Sequence, residues 1–358
     1  LYSSAASDVY KRQHDGMAIG FYLVKGMNNL VLNCDAHDNY DGYSEGDSGN
    51  VDGFGGHANK ETSTGNIFRG CRAWNNGDDG FDLINCYASY IIEYCWSFRN
   101  GYKPHSIESS GGNGAGFKSG GYGMGDIKKV PNPIPQHTVR YCLAYYNRQQ
   151  GFYSNHHLGG LIFENNTAYK NPSNYNMLNR KSSNEAVDVP GYGHIIKNNL
   201  SLSPRNSGGF PQHLINVDNT LSEIKNNSFA PNDLNLSESD FESLNEQELM
   251  GSRKSDGSLP DINFLRLTNH ANFRFSGMGC FINEEAVDYS WIQEPAIVLE
   301  NGVARIVGED SKSFNKFYVN GEEVSIENGI VDLTSMSGEL NLKAISENGA
   351  VTTLIINK

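Results

Sequence analysis

The feature that most constrains this chain is a degenerate repeat. Five segments share one pattern: Leu30-Val-Leu-Asn-Cys34, Ile67-Phe-Arg-Gly-Cys71, Ile91-Ile-Glu-Tyr-Cys95, Thr138-Val-Arg-Tyr-Cys142 and Ile162-Phe-Glu-Asn-Asn166. Each is followed five residues later by an asparagine, at Asn39, Asn76, Asn100, Asn147 and Asn171. Two weaker copies end at Asn199 and Asn227, and successive anchors lie 37, 24, 47, 24, 33 and 28 residues apart. A unit of about two dozen residues, with loops inserted into some copies, is the signature of a solenoid whose units bury their apolar faces only against neighbours. These units are short, carry a turn asparagine and lack helical periodicity. An all-β parallel β-helix is therefore expected, with coils stacked about 4.8 Å apart. The 39 glycines and the modest hydrophobic share of 38% suit short strands and turns better than amphipathic helices.

Stacking places Cys34, Cys71, Cys95 and Cys142 in one inward column, continued by Asn166, Asn199 and Asn227. Buried cysteine behaves as a small hydrophobe, so free thiols are expected. Cys86 and Cys280 fall outside the column, and the absence of a C-x-x-C pair leaves a zinc ribbon unsupported.

A second column carries the chemistry. Gly-Phe recurs at Gly20-Phe21, Gly53-Phe54, Gly80-Phe81, Gly116-Phe117 and Gly151-Phe152. Aligning these dipeptides puts Asp52 beneath Asp79 and Lys118 above Asp82. Strand alternation turns the residues flanking each Phe away from the interior, and the expectation is that they face solvent. Four carboxylates (Asp52, Asp78, Asp79 and Asp82) and one lysine then converge on one outer face. Adjacent acids repel, so such a cluster needs a cation or full hydration. Oxygen ligands alone favour Ca²⁺ over Zn²⁺. A bare D-D-x-x-D is most simply a solvated turn; it is the repeat that argues for a metal site. Lys118 is the candidate base for β-elimination on a uronate polymer, the competing reading being a structural ion pair with Asp82. Arg148, Tyr153, His156 and His157 belong to the next coil and are expected on the same face, to bind a sugar acid or protonate a leaving oxygen. His57 lies beside the calcium segment. The Gly-rich run 111–125 is no phosphate loop, since no G-K-[ST] follows.

A net charge of −13 argues against nucleic acid and anionic membrane surfaces, and it requires local cations to capture a polyanionic substrate. No run of 18 apolar residues marks a membrane span.

At Asn50-Val-Asp-Gly-Phe-Gly-Gly-His57, Cys71-Arg-Ala-Trp-Asn-Asn-Gly-Asp-Asp-Gly-Phe-Asp-Leu83 and Gly112-Asn-Gly-Ala-Gly-Phe-Lys-Ser-Gly-Gly121 the sequence resembles the pectate lyases of polysaccharide lyase family nine. The resemblance runs from about residue 14 to 267. It implies a right-handed parallel β-helix, Ca²⁺ held by Asp52, Asp78, Asp79 and Asp82, and Lys118 as base. It also implies a monomeric, secreted, cell-surface or periplasmic enzyme acting on an acidic plant cell-wall polysaccharide. The stretch from Arg148 to His157 is more Asp- and Asn-like in that family. That departure leaves polygalacturonate and the alternating rhamnose–galacturonate backbone both open. A glycoside hydrolase with paired aspartates, or a non-catalytic Ca²⁺-stabilised β-helix adhesin, are the alternatives from other classes.

Four segments are expected. Residues 1–13 read as a non-native leader, with the natural sequence beginning near His14 and any signal peptide lost. Residues 14–230 form the β-helix. Residues 231–287, with an acidic helix-compatible stretch from Ser237 to Met250, flank or cap it. Residues 288–358, punctuated by Asn301-Gly302, Asn320-Gly321, Asn328-Gly329 and Asn348-Gly349, read as a small antiparallel β-sandwich, by default a spacer.

Overall fold

The computed structural model describes residues 11–43, 48–122, 130–205, 212–229, 234–282, 296–300, 302–307, 311–327, 329–347 and 349–357. Three parallel sheets of 7 strands each run through residues 12–225 and wrap the chain into a parallel β-helix. The first sheet contains Phe21–Leu23, Phe54–Gly56, Phe81–Asp82, Phe117–Lys118, Gln150–Tyr153, Ser173–Asn176 and Leu214–Ile215. Its register follows the Gly-Phe column. Phe54 pairs with Phe81, Phe117 with Phe81 and Phe152, and Lys118 with Asp82 on one side and Tyr153 on the other. Phe21, Phe54, Phe81, Phe117, Phe152 and Tyr175 stack inside with ring centroids 4.8 to 5.0 Å apart. That is the strand spacing, so one backbone register aligns every ring. The glycine before each Phe is required by close approach: a Cβ at Gly80 would stand 2.0 Å from Ser97 Oγ and 2.7 Å from the Gly116 carbonyl.

Opposite the rings, a third sheet, formed by Arg12–His14, Asp35–His37, Arg72–Trp74, Trp96–Phe98, Leu143–Tyr145, Thr167–Tyr169 and Leu200–Leu202, supplies small inward residues such as Ala36, Ala73, Ala144 and Ala168. At the turn the asparagines form a ladder: Asn39 donates to Asn76, Asn76 to Asn100, Asn100 to Asn147, and Asn147 to Asn171, each at 2.8–3.1 Å. Asn174, which the repeat did not single out, ends that ladder by accepting from Asn171 at 3.1 Å. The six cysteines are buried thiols outside any disulfide, and Asn166, Asn199 and Asn227 continue the cysteine column by the same amide-to-amide bonds.

The outer face of the third sheet is aromatic (Trp74, Phe98, Tyr145, Tyr169). It is covered by Phe241, Leu249, Phe264 and Phe275 from the 234–282 segment, so the flank lies along the helix as a second core. The stretch from Ser237 to Met250 forms two 3₁₀ turns, at Glu238–Asp240 and Glu246–Met250, while the described α-helix is Asn269–Arg274. Arg12 and Gln13, assigned to a leader from sequence, form with His14 a strand paired to Asp35–His37. Beyond residue 296, antiparallel sheets of three and four strands enclose a core of Phe314, Phe317, Leu340, Leu342 and Leu354. Asn320 and Gly321 turn there with φ of 52° and 90°, whereas Asn301, Asn328 and Asn348 lie outside the described residues, as do Gly123 and Gly125.

Candidate active site

The site is built on the first sheet where the repeat stops repeating. Phe81 points inward; its neighbours Asp79 and Asp82 point out, and the coils before and after add Asp52 and Lys118. Asp52, Asp79 and Asp82 each offer a carboxylate oxygen, and these three atoms lie within 4.8 Å of one another. Lys118 Nζ stands 3.0 Å from Asp79 Oδ2 and 3.1 Å from Asp82 Oδ2. Backbone amides fix the other oxygens. Asp79 N–H donates to Asp52 Oδ1 at 3.0 Å, Ala115 N–H to Asp79 Oδ1 at 2.6 Å, and Ile84 N–H to Asp82 Oδ1 at 2.7 Å. Asp78 stays outside the close triad, its Oδ1 accepting from Asn113 N–H at 2.5 Å.

The expectation that these side chains face open solvent needs correction. Asp52 is 2% exposed, Asp79 0%, Asp82 4% and Lys118 7%. The cause is the loop inserted between Asn100 and Gly116, whose amides at Asn113 and Ala115 clamp the carboxylates from above. Burial sets the electrostatics. Desolvation first, and then the neighbouring aspartates, push the Asp52 carboxyl well up. Desolvation and Asp79 carry Asp78 to about 8. Asp79 is also raised by desolvation, against the pull of Lys118. Burial alone would lower Lys118, but Asp79, Asp82, Asp52 and Asp78 together hold its ammonium well above the ordinary lysine range. The sequence-level alternative of a Lys118–Asp82 ion pair is thus present, and it extends to Asp79.

A hard cation fits this donor set. Three buried carboxylates crowd one point, and Asp79 Oδ2 is buried without a well-directed hydrogen bond beyond its ion pair. Concentrated negative charge of this kind asks for positive charge at the same place.

The remaining candidates divide. His57 joins the site from below: Nδ1 is 3.2 Å from Tyr22 OH and Nε2 is 3.9 Å from Asp82 Oδ2. Burial depresses its pKa and Asp82 partly restores it. Tyr153, one rung past Lys118, has its hydroxyl 3.0 Å from His156 Nε2. Burial pushes that phenol up to about 12, so it stays protonated. His156 Nδ1 in turn lies 2.6 Å from Asp188 Oδ1. Arg148 reaches back to the Gly112 carbonyl at 2.6 Å and braces the inserted loop. His157 does not join the outer face. It is fully buried, accepting from Gly121 N–H on Nδ1 at 3.1 Å and lying 2.9 Å from the Pro135 carbonyl on Nε2. The reason is local: Asn155 and His156 adopt φ of 54° and 58°, which ends the strand alternation and swings His157 inward. Burial lowers its pKa to about 4.

Sequence reasoning missed the hairpin formed by Leu178–Ser182 and Glu185–Pro190, which places Arg180 opposite Asp188 beside Tyr153. A polar turn, Ser183-Asn184, between two alternating runs was the available signal.

Comparison with known proteins places these features. A family model described as Pel9A-like, right-handed beta helix region, matches residues 5–221, and one described as rhamnogalacturonan lyase-like, C-terminal, matches residues 218–353. Pectate lyase L of Dickeya chrysanthemi is 35% identical over 265 residues, covering 74% of this chain and 54% of that protein. Pectate lyase PEL9 of Emericella nidulans is 28% identical over 281 residues, covering 73% of this chain and 62% of that protein. Among solved structures, a rhamnogalacturonan lyase is 56% identical with TM-score 0.70, over 75% of this chain and 64% of that one. Pectate lyase Pel9A is 32% identical with TM-score 0.57, over 73% and 61%. The chain spans about half the length of several of the curated relatives it matches.

Proposed function

The chain belongs to the Pel9A-like right-handed β-helix family, and from that premise we propose that it is a calcium-dependent polysaccharide lyase cleaving a galacturonate-containing pectic backbone by β-elimination. The observation that carries the reading is the buried triad of Asp52, Asp79 and Asp82 with Lys118 Nζ at 3.0–3.1 Å. Those three carboxylates, with Asp78 adjoining, would hold Ca²⁺. Bound there, the ion would offset the charge of a uronate carboxylate and so acidify the proton at C5 of that sugar. Lys118 is the only amine at the centre among the described residues, and it acts as base only when the aspartates are neutralised by a charge other than its own. As the free amine it takes the C5 proton; the C–H electron pair forms the C4–C5 double bond, and the C4–O bond breaks toward the leaving sugar. Tyr153, protonated and one rung away, is placed to hydrogen-bond that oxygen. A non-catalytic adhesin would tolerate the carboxylates but does not require an amine among them, and a hydrolase would need a separate acid–base pair.

Within pectic backbones, one observation favours rhamnogalacturonan over polygalacturonate: the 56% identical structure is a rhamnogalacturonan lyase, and the C-terminal match carries that description too. Secretion accords with a polymer too large to enter a cell. The test is product chemistry on both polymers, with Ca²⁺ and with a chelator. Calcium-dependent ultraviolet absorbance from unsaturated uronate ends supports the lyase and names its polymer; new reducing ends without that absorbance would mean hydrolysis.

A further inference from the structure

We infer that Arg180 is a second carboxylate-binding point on the catalytic face, one that grips a further uronate of the same polymer beyond the sugar undergoing elimination. The inference rests on the lyase reading above for the identity of the ligand, though its geometry stands apart from the aspartate triad.

Arg180 is 4% exposed, yet its Nε and Nη1 are buried with no hydrogen-bond partner. A guanidinium is always charged and presents five N–H donors, so donors left unspent in the interior are costly unless a ligand uses them. Asp188, the carboxylate facing Arg180 among the described residues, does not fill this role. Asp188 Oδ1 is 3.7 Å from Arg180 Nε, beyond hydrogen-bond reach, because the same oxygen is taken by His156 Nδ1 at 2.6 Å.

The hairpin explains why the pair stays apart. Arg180 and Asp188 are cross-strand partners, but the register shifts between Arg180 and Ser182, and Arg180 N–H is tied to the His157 carbonyl at 2.9 Å. Asp188 is held on His156, while Arg180 is anchored by its backbone to the His157 carbonyl with its side chain buried. Tyr153 is the strand partner of Lys118 and Asn176 is the strand partner of Tyr153, so Arg180, four residues on from Asn176, lies on the second coil past the base. A planar, always-charged guanidinium suits a carboxylate, and Arg180 donates its unspent N–H groups to that acid.

The expected occupant is therefore a hexuronate carboxylate, not a neutral sugar. The probe is a galacturonate-containing oligosaccharide bound to the full chain carrying Lys118→Ala, which leaves the ligand uncut. Arg180→Met should weaken its affinity by about tenfold to a hundredfold, the range for losing a hydrogen bond to a charged group. Arg180→Lys should recover part of the loss. A carboxyl-reduced oligosaccharide should bind Arg180→Met and the Arg180 parent equally. In the active background, Arg180→Met should raise KM far more than it lowers kcat. Lys181→Met, which removes an exposed neighbouring charge, should leave both unchanged. Melting temperatures check that each variant is folded. Unchanged affinity in folded Arg180→Met, or equal losses for acidic and reduced ligands, would overturn the inference while leaving the lyase standing. Weakened acidic binding in a protein that yields no unsaturated product would uphold the site and remove the lyase instead.

Discussion

Phe81 and Asp82 are consecutive residues on one strand, and they belong to two different regimes. On the inner side each position repeats: phenylalanine stacks on phenylalanine, alanine faces it, and asparagine amides satisfy one another from coil to coil. On the outer side the same register brings together residues that do not repeat, three carboxylates and an amine, with Asp79 Oδ2 and the Arg180 donors left short of partners. The inner columns are satisfied by the fold itself. On the outer face Lys118 satisfies only part of the carboxylate charge, and Asp79 Oδ2 and the Arg180 Nε and Nη1 groups keep no hydrogen-bond partner. That difference locates function on a solenoid better than any single motif: it is where the repeat is broken and polar groups are buried but not yet partnered.

The contrast can be broken most sharply at the ladder. The Asn100 side chain donates to the Ala73 carbonyl, Ser97 Oγ and Asn147 Oδ1 at 3.0–3.1 Å and accepts from Asn76 at 2.9 Å. Asn100→Ala should strand buried groups on three coils and cost about 3 kcal/mol or more, read as a lower denaturant midpoint. An unchanged midpoint would mean that the inner column is not what holds the coils in register.

Acid should act next, through the buried histidines. His137, His157 and His194 all accept from backbone amides inside, and burial lowers their pKa values, to about 4 for His157 and about 3 for His194. Because the folded state resists protonation, their stabilisation is complete above the ordinary value of 6.5 and is lost as pH falls toward 4. For His157 alone the span from 6.5 to about 4 corresponds to about 3 kcal/mol. Urea midpoints taken between pH 7 and 4.5 should fall, and His157→Gln should flatten part of the slope.

The site should show the opposite sign. Asp52, Asp78 and Asp79 bind protons more tightly folded than unfolded, so in chelator their contribution is greatest below the ordinary carboxyl value of 3.8. It is lost as pH rises toward about 8, the Asp78 value. Between pH 6.5 and 8, where the histidine contribution is complete and no longer changes with pH, chelated protein should lose stability and Ca²⁺ should restore it. Asp79→Asn should gain about 1 kcal/mol in chelator while losing the calcium response. A midpoint indifferent to Ca²⁺ in the wild type would contradict the metal assignment. The smallest effect is expected at His57, 3.9 Å from Asp82: His57→Gln should lower initial rates less than about tenfold.

Most of the fold was legible because a solenoid writes its register into the spacing of a few residue types. The cysteine and Gly-Phe columns predicted which residues pair, and Lys118 above Asp82 followed from them. What could not be read was anything set by inserted or non-repeating segments. The loop from 101 to 115 buries the site, positive-φ backbone at Asn155 and His156 turns His157 inward, and the 178–190 hairpin brings Arg180 and Asp188 to Tyr153. Each depends on a local conformation with no counterpart on another coil to align it with. The flank from 234 to 282 was legible as a cover but not as a second aromatic core, since Trp74, Phe98 and Tyr145 show their outward direction only once the third sheet is in place.

Lys118 is proposed to remove a proton once the surrounding aspartates are charge-balanced. The most direct measurement is the rate of unsaturated-uronate formation by wild type and Lys118→Ala with saturating Ca²⁺, on whichever polymer the wild type cleaves. Lys118→Ala should lose about 10²- to 10⁴-fold in kcat, the usual contribution of a general base, with Ca²⁺ binding retained. A Lys118→Ala protein that still binds Ca²⁺ and forms unsaturated product at the wild-type rate would show that Lys118 serves only as the counter-charge of Asp79 and Asp82.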